Sequence, residues 1–325
     1  MMELYKKLRR NWSDFGWWKE EAVPFAYSRV STALLNKYAS AYYAIKGVEF
    51  VSIPDSDWDN LILFDACRYD HFEELNKFDA DLEQRYSRAP QTPIFLQKNF
   101  GDGDFHDIVV VSANPHQSIQ LEDQQFHNVY HVWRTHWDDE LRTVHPQSVT
   151  KVAKQAHREH PEKRLIVHYM QPHAPFIGDI GRNQIGIQLG TQHAYNLAQG
   201  KTNESYDTDP YTMLKRDELD QETVIDAYNE NLELVMDYAQ DLVTDLVGKT
   251  VVTADHGELF GEWAWPLPRK EYQHPPIMAQ KLLEVPWLTI DSGRRKTITS
   301  DPPVTLKSTS DGDMVEKRLQ HLGYQ

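Results

Sequence analysis

Val251-Val252-Thr253-Ala254-Asp255-His256-Gly257-Glu258 is the stretch on which the fold turns. A short β-branched run climbs to an Asp-His pair, and a glycine then turns the chain. A strand of this kind delivers two metal-type ligands side by side at its C-terminal end, where open α/β sheets place their chemistry. Asp brings a hard anionic oxygen and His a neutral imidazole, a mixture suited to Zn²⁺ or Mn²⁺. Three letters alone are weak, so the stretch needs partners elsewhere in the chain.

Working outward, the segment before it reads as the clearest helix of the sequence, Asp220 to Gly248. Ile225, Tyr228, Leu232, Val235, Ala239, Leu242 and Leu246 step by three and four, with Gly248 at its end. Asn60-Leu61-Ile62-Leu63-Phe64-Asp65 is a continuous apolar run ending in Asp, the pattern of a fully buried parallel strand. Further strands are expected at Ile108–Ala113, Val129–Trp133, Leu165–Met170 and near Trp287–Ile290. Helices are expected at Ser31–Ile45, Tyr69–Phe78, from Pro93, Ser148–His160 and Ile277–Leu283, with a small one at Met314–Leu322. Strands alternate with helices, which predicts an α/β three-layer sandwich with a mainly parallel sheet. Residues 56–290 read as its catalytic domain. The stretch 177–217 is rich in Gly, Asn, Gln and Asp and reads as a long functional loop, for example a lid. Residues 291–325 read as a polar tail.

Residues 1–55 differ in character. Residues 1–50 carry eight Lys/Arg against five acids and a crowd of aromatics, which fits either a helical extension packed on its own domain or a peripheral membrane contact. The whole chain of 325 residues has 49 acidic and 34 basic residues, a net charge of −15, which disfavours nucleic acid as a partner. One cysteine, Cys67, excludes an internal disulfide framework and fits a reducing compartment. No run of about 18 apolar residues and no signal-peptide core are present, so the expected location is cytoplasmic, at most membrane-associated.

Asp65, Asp255 and His256 each end an apolar strand run, and parallel strands present those ends along one edge. Two carboxylates and an imidazole make a reasonable three-ligand metal site with room for a further oxygen. Asp65 by itself fits an N-cap equally well, and a lone His256 fits a structural histidine.

Four segments in order, "LILFDACRYD" at 61–70, "QPHAPF" at 171–176, "VVTADHGELFGE" at 251–262 and "YQHPP…LLEVPWL" at 272–288, resemble the sulfatase branch of the alkaline phosphatase superfamily over roughly residues 58–290. The resemblance implies one divalent metal ion (Zn, Mn, Mg or Ca) held by Asp65, Asp255 and His256. It implies a metal-bound nucleophile some tens of residues after the first Asp, for which Thr92 in "APQTP" fits best and Ser87 is the alternative. His173 and His274 match histidines that contact the substrate anion or leaving group, or hold a second metal. Arg68 is a candidate for phosphate or sulfate binding, or for pairing with Asp70. Lys270 and Arg269 are weaker anion-site candidates.

The departures shift the expectation. The sequence has no C/S-x-P-x-R motif of the kind converted to formylglycine, and Cys67 does not sit as a nucleophile. The expected function is therefore a metal-dependent hydrolase or transferase acting on a phosphate ester through a covalent threonine intermediate. A sulfatase without formylglycine, or a non-catalytic member binding an anionic glycan or lipid, are the alternatives. The expected substrate is a small anionic ester, glycan or lipid headgroup.

Overall fold

The computed structural model describes residues 23–186, 188, 190–201 and 209–304. The expected helix at Met314–Leu322 and the first part of the aromatic extension lie outside them. Eight strands form one sheet in the order β1-β3-β12-β9-β2-β8-β4-β5. These are β1 (Phe50–Val51), β2 (Asn60–Asp65), β3 (Asp81–Ser87), β4 (Phe105–Ser112), β5 (Phe126–His131), β8 (Arg164–Pro172), β9 (Lys249–Ala254) and β12 (Glu284–Asp291). Two antiparallel pairs stand apart, β6 (Trp137–Asp138) with β7 (Thr143–Val144) and β10 (Leu259–Trp263) with β11 (Lys270–Gln273). Every pairing in the main sheet is parallel except those of β12, which runs antiparallel to both β3 and β9.

The pleat explains the three layers. On β2, Ile62 and Phe64 enter one core with the helices Pro146–Glu159 and Gln221–Asp245. Leu61 and Leu63 enter the opposite core with Phe95, Leu96 and Phe100 of the helix Thr92–Phe100. A strand buried on both faces reads as an unbroken apolar run, and all six residues of β2 are buried. Polar β3 escaped the sequence reading because its residues are largely solvent-facing, yet it fills the place between β1 and β12. The strand expected at Val129–Trp133 stops at His131; Val132 and Trp133 open a helical turn instead. The helix expected at Ile277–Leu283 shrinks to Gln280–Leu283.

The helix Val23–Ile45 is longer than expected and docks on the segment 259–283, where Ala39 and Tyr43 join Leu259, Leu267, Ile277 and Leu282 in a third core. Asn36 fixes the contact, donating to the Pro276 carbonyl at 2.9 Å and accepting the Met278 N–H at 2.9 Å. Stretch 177–217 carries a π-helical turn Gly181–Ile185 and the helices Gln192–Ala198 and Pro210–Lys215. Among the described residues no helix is long and apolar enough to cross a membrane.

Candidate metal centre

Asp65 ends β2, and Asp255 and His256 follow directly on the neighbouring β9, so the parallel pairing brings all three to one sheet edge. Alternation places Asp65 on the Leu61–Leu63 side, the face covered by the helix Thr92–Phe100. Thr92 begins that helix, with Gln91 as N-cap and Pro93 behind it. Its hydroxyl donates to Asp255 Oδ2 at 2.6 Å and lies 3.3 Å from His256 Nε2. His256 Nε2 is 3.5 Å from Asp255 Oδ2 and 3.7 Å from Asp65 Oδ1.

Each of these groups is oriented from behind. His256 Nδ1–H donates to the Gly257 carbonyl at 2.8 Å, which leaves the Nε2 lone pair facing the site. Asp255 Oδ1 accepts the N–H groups of Ala66 (3.1 Å) and His256 (2.8 Å), freeing Oδ2 for Thr92. Asn114 donates to Asp65 Oδ2 at 2.6 Å, and Asp65 Oδ1, although buried, has no hydrogen-bond partner. Burial, then the charge of Asp255, pushes the Asp65 carboxyl well above the usual range. Burial also works against the Asp255 carboxylate, but His256, His168 and the Thr92 hydroxyl outweigh it and hold Asp255 low. Burial holds His256 down at about 4, so its imidazole is neutral. Two buried carboxylates, an unprotonated imidazole nitrogen and an orphaned carboxylate oxygen converging on one spot fit a divalent cation by donor chemistry.

A second group lies beside the first. His173, Glu258 and His274 could hold an ion with their side-chain atoms within 4.8 Å of one another. Glu258 is fully buried and 3.2 Å from His274 Nδ1 through both oxygens. Burial opposes charge on His274, but Glu258 prevails and raises its pKa. His173 is lowered, by burial and then by His274. Its Nδ1 donates to the Ala174 carbonyl at 2.5 Å.

Both groups border a cavity of about 180 Å³ lined by Asp65, Thr92, Asn114, His116, His173 and His274. The segment 190–194 supplies Gly190, Thr191, His193 and Ala194 to its wall, so part of the long 177–217 stretch stands over the site.

Arg68 does not reach this cavity. Its guanidinium is taken by Asp70, with bonds of 2.9 and 2.7 Å, by Glu262, and by the Phe260 ring at 5.1 Å. Two carboxylates already neutralise it, and it lines a different cavity with His71 and Lys281. Lys270 is exposed at the start of β11 and Arg269 pairs with Glu271; neither borders the cavity of Thr92. Ser87 is also committed elsewhere, its hydroxyl donating to the Asp255 carbonyl at 2.5 Å.

Sequence reasoning missed His168, Glu258, Asn114 and His116. Glu258 stands inside the opening stretch, and His168 is the one histidine in the apolar run 165–170. It missed two positioning residues as well. Tyr228 donates to the Ala66 carbonyl at 2.8 Å and accepts the Arg68 N–H at 2.9 Å, which holds Ala66 at φ 59° just after Asp65. Asn231, one turn on, accepts the Ile177 N–H at 2.8 Å and donates to the Pro175 carbonyl at 3.1 Å, fixing the loop that carries His173.

No protein-family model matches the chain, and no curated protein does. Among solved structures, the chain is similar to the C-terminal periplasmic domain of a phosphoethanolamine transferase from Campylobacter jejuni at 12% identity, covering 72% of this chain and 78% of that one with a TM-score of 0.43. A phosphonate monoester hydrolase of Agrobacterium radiobacter is 13% identical over 72% of this chain and 68% of its own, TM-score 0.41. A lipoteichoic acid synthase from Listeria monocytogenes is 11% identical over 82% and 73%, TM-score 0.43.

Proposed function

We propose that this protein is a divalent-metal-dependent enzyme of phosphate-ester chemistry in which Thr92 is the nucleophile. The observation that carries the reading is the Thr92 hydroxyl at a helix N-terminus, 2.6 Å from Asp255 Oδ2 and 3.3 Å from His256 Nε2. Asp65, Asp255, His256 and the Thr92 oxygen would hold the ion, which when bound makes the hydroxyl more acidic and offsets charge on the phosphoryl oxygens. Asp255 takes the hydroxyl proton as the Thr92 Oγ–P bond forms and the P–O bond to the leaving group breaks. His274, whose hold on a proton Glu258 strengthens, gives a proton to the departing oxygen. Backbone N–H groups at the start of the helix Thr92–Phe100 favour the anionic group beside Thr92. Water or an acceptor alcohol, giving its proton to the now deprotonated His274, then attacks the phosphothreonine, and as P–Oγ breaks Asp255 returns its proton to the Thr92 oxygen.

The substrate class is a small anionic ester, including a glycan or lipid headgroup. Phosphate is preferred over sulfate because the sequence lacks a formylglycine precursor motif. The test is a panel of aryl phosphates, phosphodiesters and aryl sulfates with Zn²⁺, Mn²⁺, Mg²⁺ or Ca²⁺ added. Thr92→Ala is expected to lose turnover by about a thousandfold or more, which is ~4 kcal/mol of barrier. Thr92→Ser is expected to keep part of it, and mass spectrometry to find phosphate on residue 92. Full turnover of Thr92→Ala on every active substrate would overturn the assignment.

A further inference from the structure

We infer that His168 is a ligand of the metal ion this centre takes, an inference that rests on the function proposed above. The argument begins with the pleat. On β8, Leu165 and Val167 enter one core and Ile166 the other, so alternation turns His168 to the side of Ile166. That is the face of Leu61 and Leu63 on β2 and of Val251 on β9, hence of Asp65 and Asp255. In register His168 is the neighbour of Leu63, two residues before Asp65. An imidazole on this face of the central strands points where the two carboxylates point.

His168 is 1% exposed, and its Nε2 is buried with no hydrogen-bond partner. An unpaired buried polar nitrogen is costly and rare, and a neutral imidazole nitrogen either shares a proton or coordinates. Its nearest charged partner is Asp255 Oδ2 at 3.8 Å, too far for a hydrogen bond. Two ligands of one tetrahedral ion, each about 2.0–2.2 Å from it, lie roughly 3.3–3.6 Å apart. The His256–Asp255, His256–Asp65 and His168–Asp255 separations of 3.5, 3.7 and 3.8 Å run close to that spacing. Asp65, His168 and Asp255 also form one of the two groups, among the described residues, that could hold an ion. A purely structural histidine would have both nitrogens hydrogen-bonded or would be replaceable by an apolar side chain without effect on metal. With His168 counted, the donor set has two imidazoles and two carboxylates beside the Thr92 oxygen, which selects Zn²⁺ or another borderline ion over Mg²⁺ and Ca²⁺.

The test is metal binding by the full chain, read without turnover. Zinc-edge X-ray absorption of a His173→Ala/His274→Ala protein with one Zn²⁺, in which the neighbouring group can supply no imidazole, is expected to count two imidazoles. Co²⁺ titration of His168→Ala is expected to give a dissociation constant about tenfold or more weaker than wild type and altered visible bands. Added imidazole should restore both. One imidazole by absorption, or a His168→Ala protein with the wild-type constant and spectrum, would overturn the inference while leaving the wider reading intact. A wild-type protein that takes up neither Zn²⁺ nor Co²⁺ would overturn both. The absorption count leaves His168 in place, so a His168→Ala protein that failed to fold would not protect the idea.

Discussion

At the scale of the residue, the candidate metal centre depends on an atom that is absent. Gly257 follows His256, and its N–H donates to the Leu282 carbonyl at 2.8 Å. A β-carbon there would run into the backbone carbonyl of Lys281. Backbone cannot step aside as a flexible side chain can, so Gly257→Ala must move the turn that carries His256 and Glu258. Overpacking of this kind costs about 1–3 kcal/mol. The expected outcome is a lower melting temperature together with loss of bound metal and of turnover; a variant with normal metal content and rate would show that the turn tolerates displacement. The motif Asp-His-Gly was legible in the sequence, and the glycine's place in it now has a steric reason. The fate of Arg68 was not legible. Its pairing with nearby Asp70 was foreseeable, but Glu262 and Phe260 meet it only through folding.

At the scale of the element, the helix Gln221–Asp245 does more than fill the core. Asp220 caps it by accepting the Thr223 N–H at 2.8 Å, and its apolar stripe packs on the sheet. The same face presents Tyr228 and Asn231, which clamp the loop after Asp65 and the loop carrying His173. Periodicity located this helix and its stripe, since spacing by three and four is a property of the chain alone. It counted Tyr228 as one more apolar residue, because the value of the hydroxyl lies in Ala66 and Arg68, some 160 residues away. Tyr228→Phe leaves a buried carbonyl and a buried N–H unpaired, at a cost of about 1–3 kcal/mol. Denaturant unfolding should show that loss. The helical circular dichroism should be unchanged, and kcat should fall more than KM because the turn after Asp65 loosens. Unaltered stability and kcat would assign the clamp no role.

At the scale of the whole molecule, charge and burial combine into a pH dependence. His71, His116, His145, His157 and His160 are all lowered, in each case chiefly by burial, with His116 and His157 down at about 4. Between the ordinary histidine value near 6.5 and about 4, the unfolded chain therefore binds more protons than the folded one, and stability is lost as pH falls through that window. His274, raised by Glu258, and the Asp65 and Asp209 carboxyls, raised chiefly by burial, act in the opposite sense but are fewer than these five histidines. Thermal melts of metal-free protein should show a lower midpoint at pH 5 than at pH 7, and an equal or higher midpoint at pH 5 would contradict these directions. Taken over the molecule, the sequence by itself determined the α/β architecture, the ends of β2 and β9, and the long helix that leads into β9. These follow from apolar runs and periodicities that each segment carries locally. Only the tertiary structure decided that Thr92 meets Asp255, that Arg68 is spent on Asp70 and Glu262, and that His168 lies beside Asp65 and Asp255 and Glu258 beside His173 and His274. Those outcomes depend on which strands lie side by side and in what register, and no single segment contains that information.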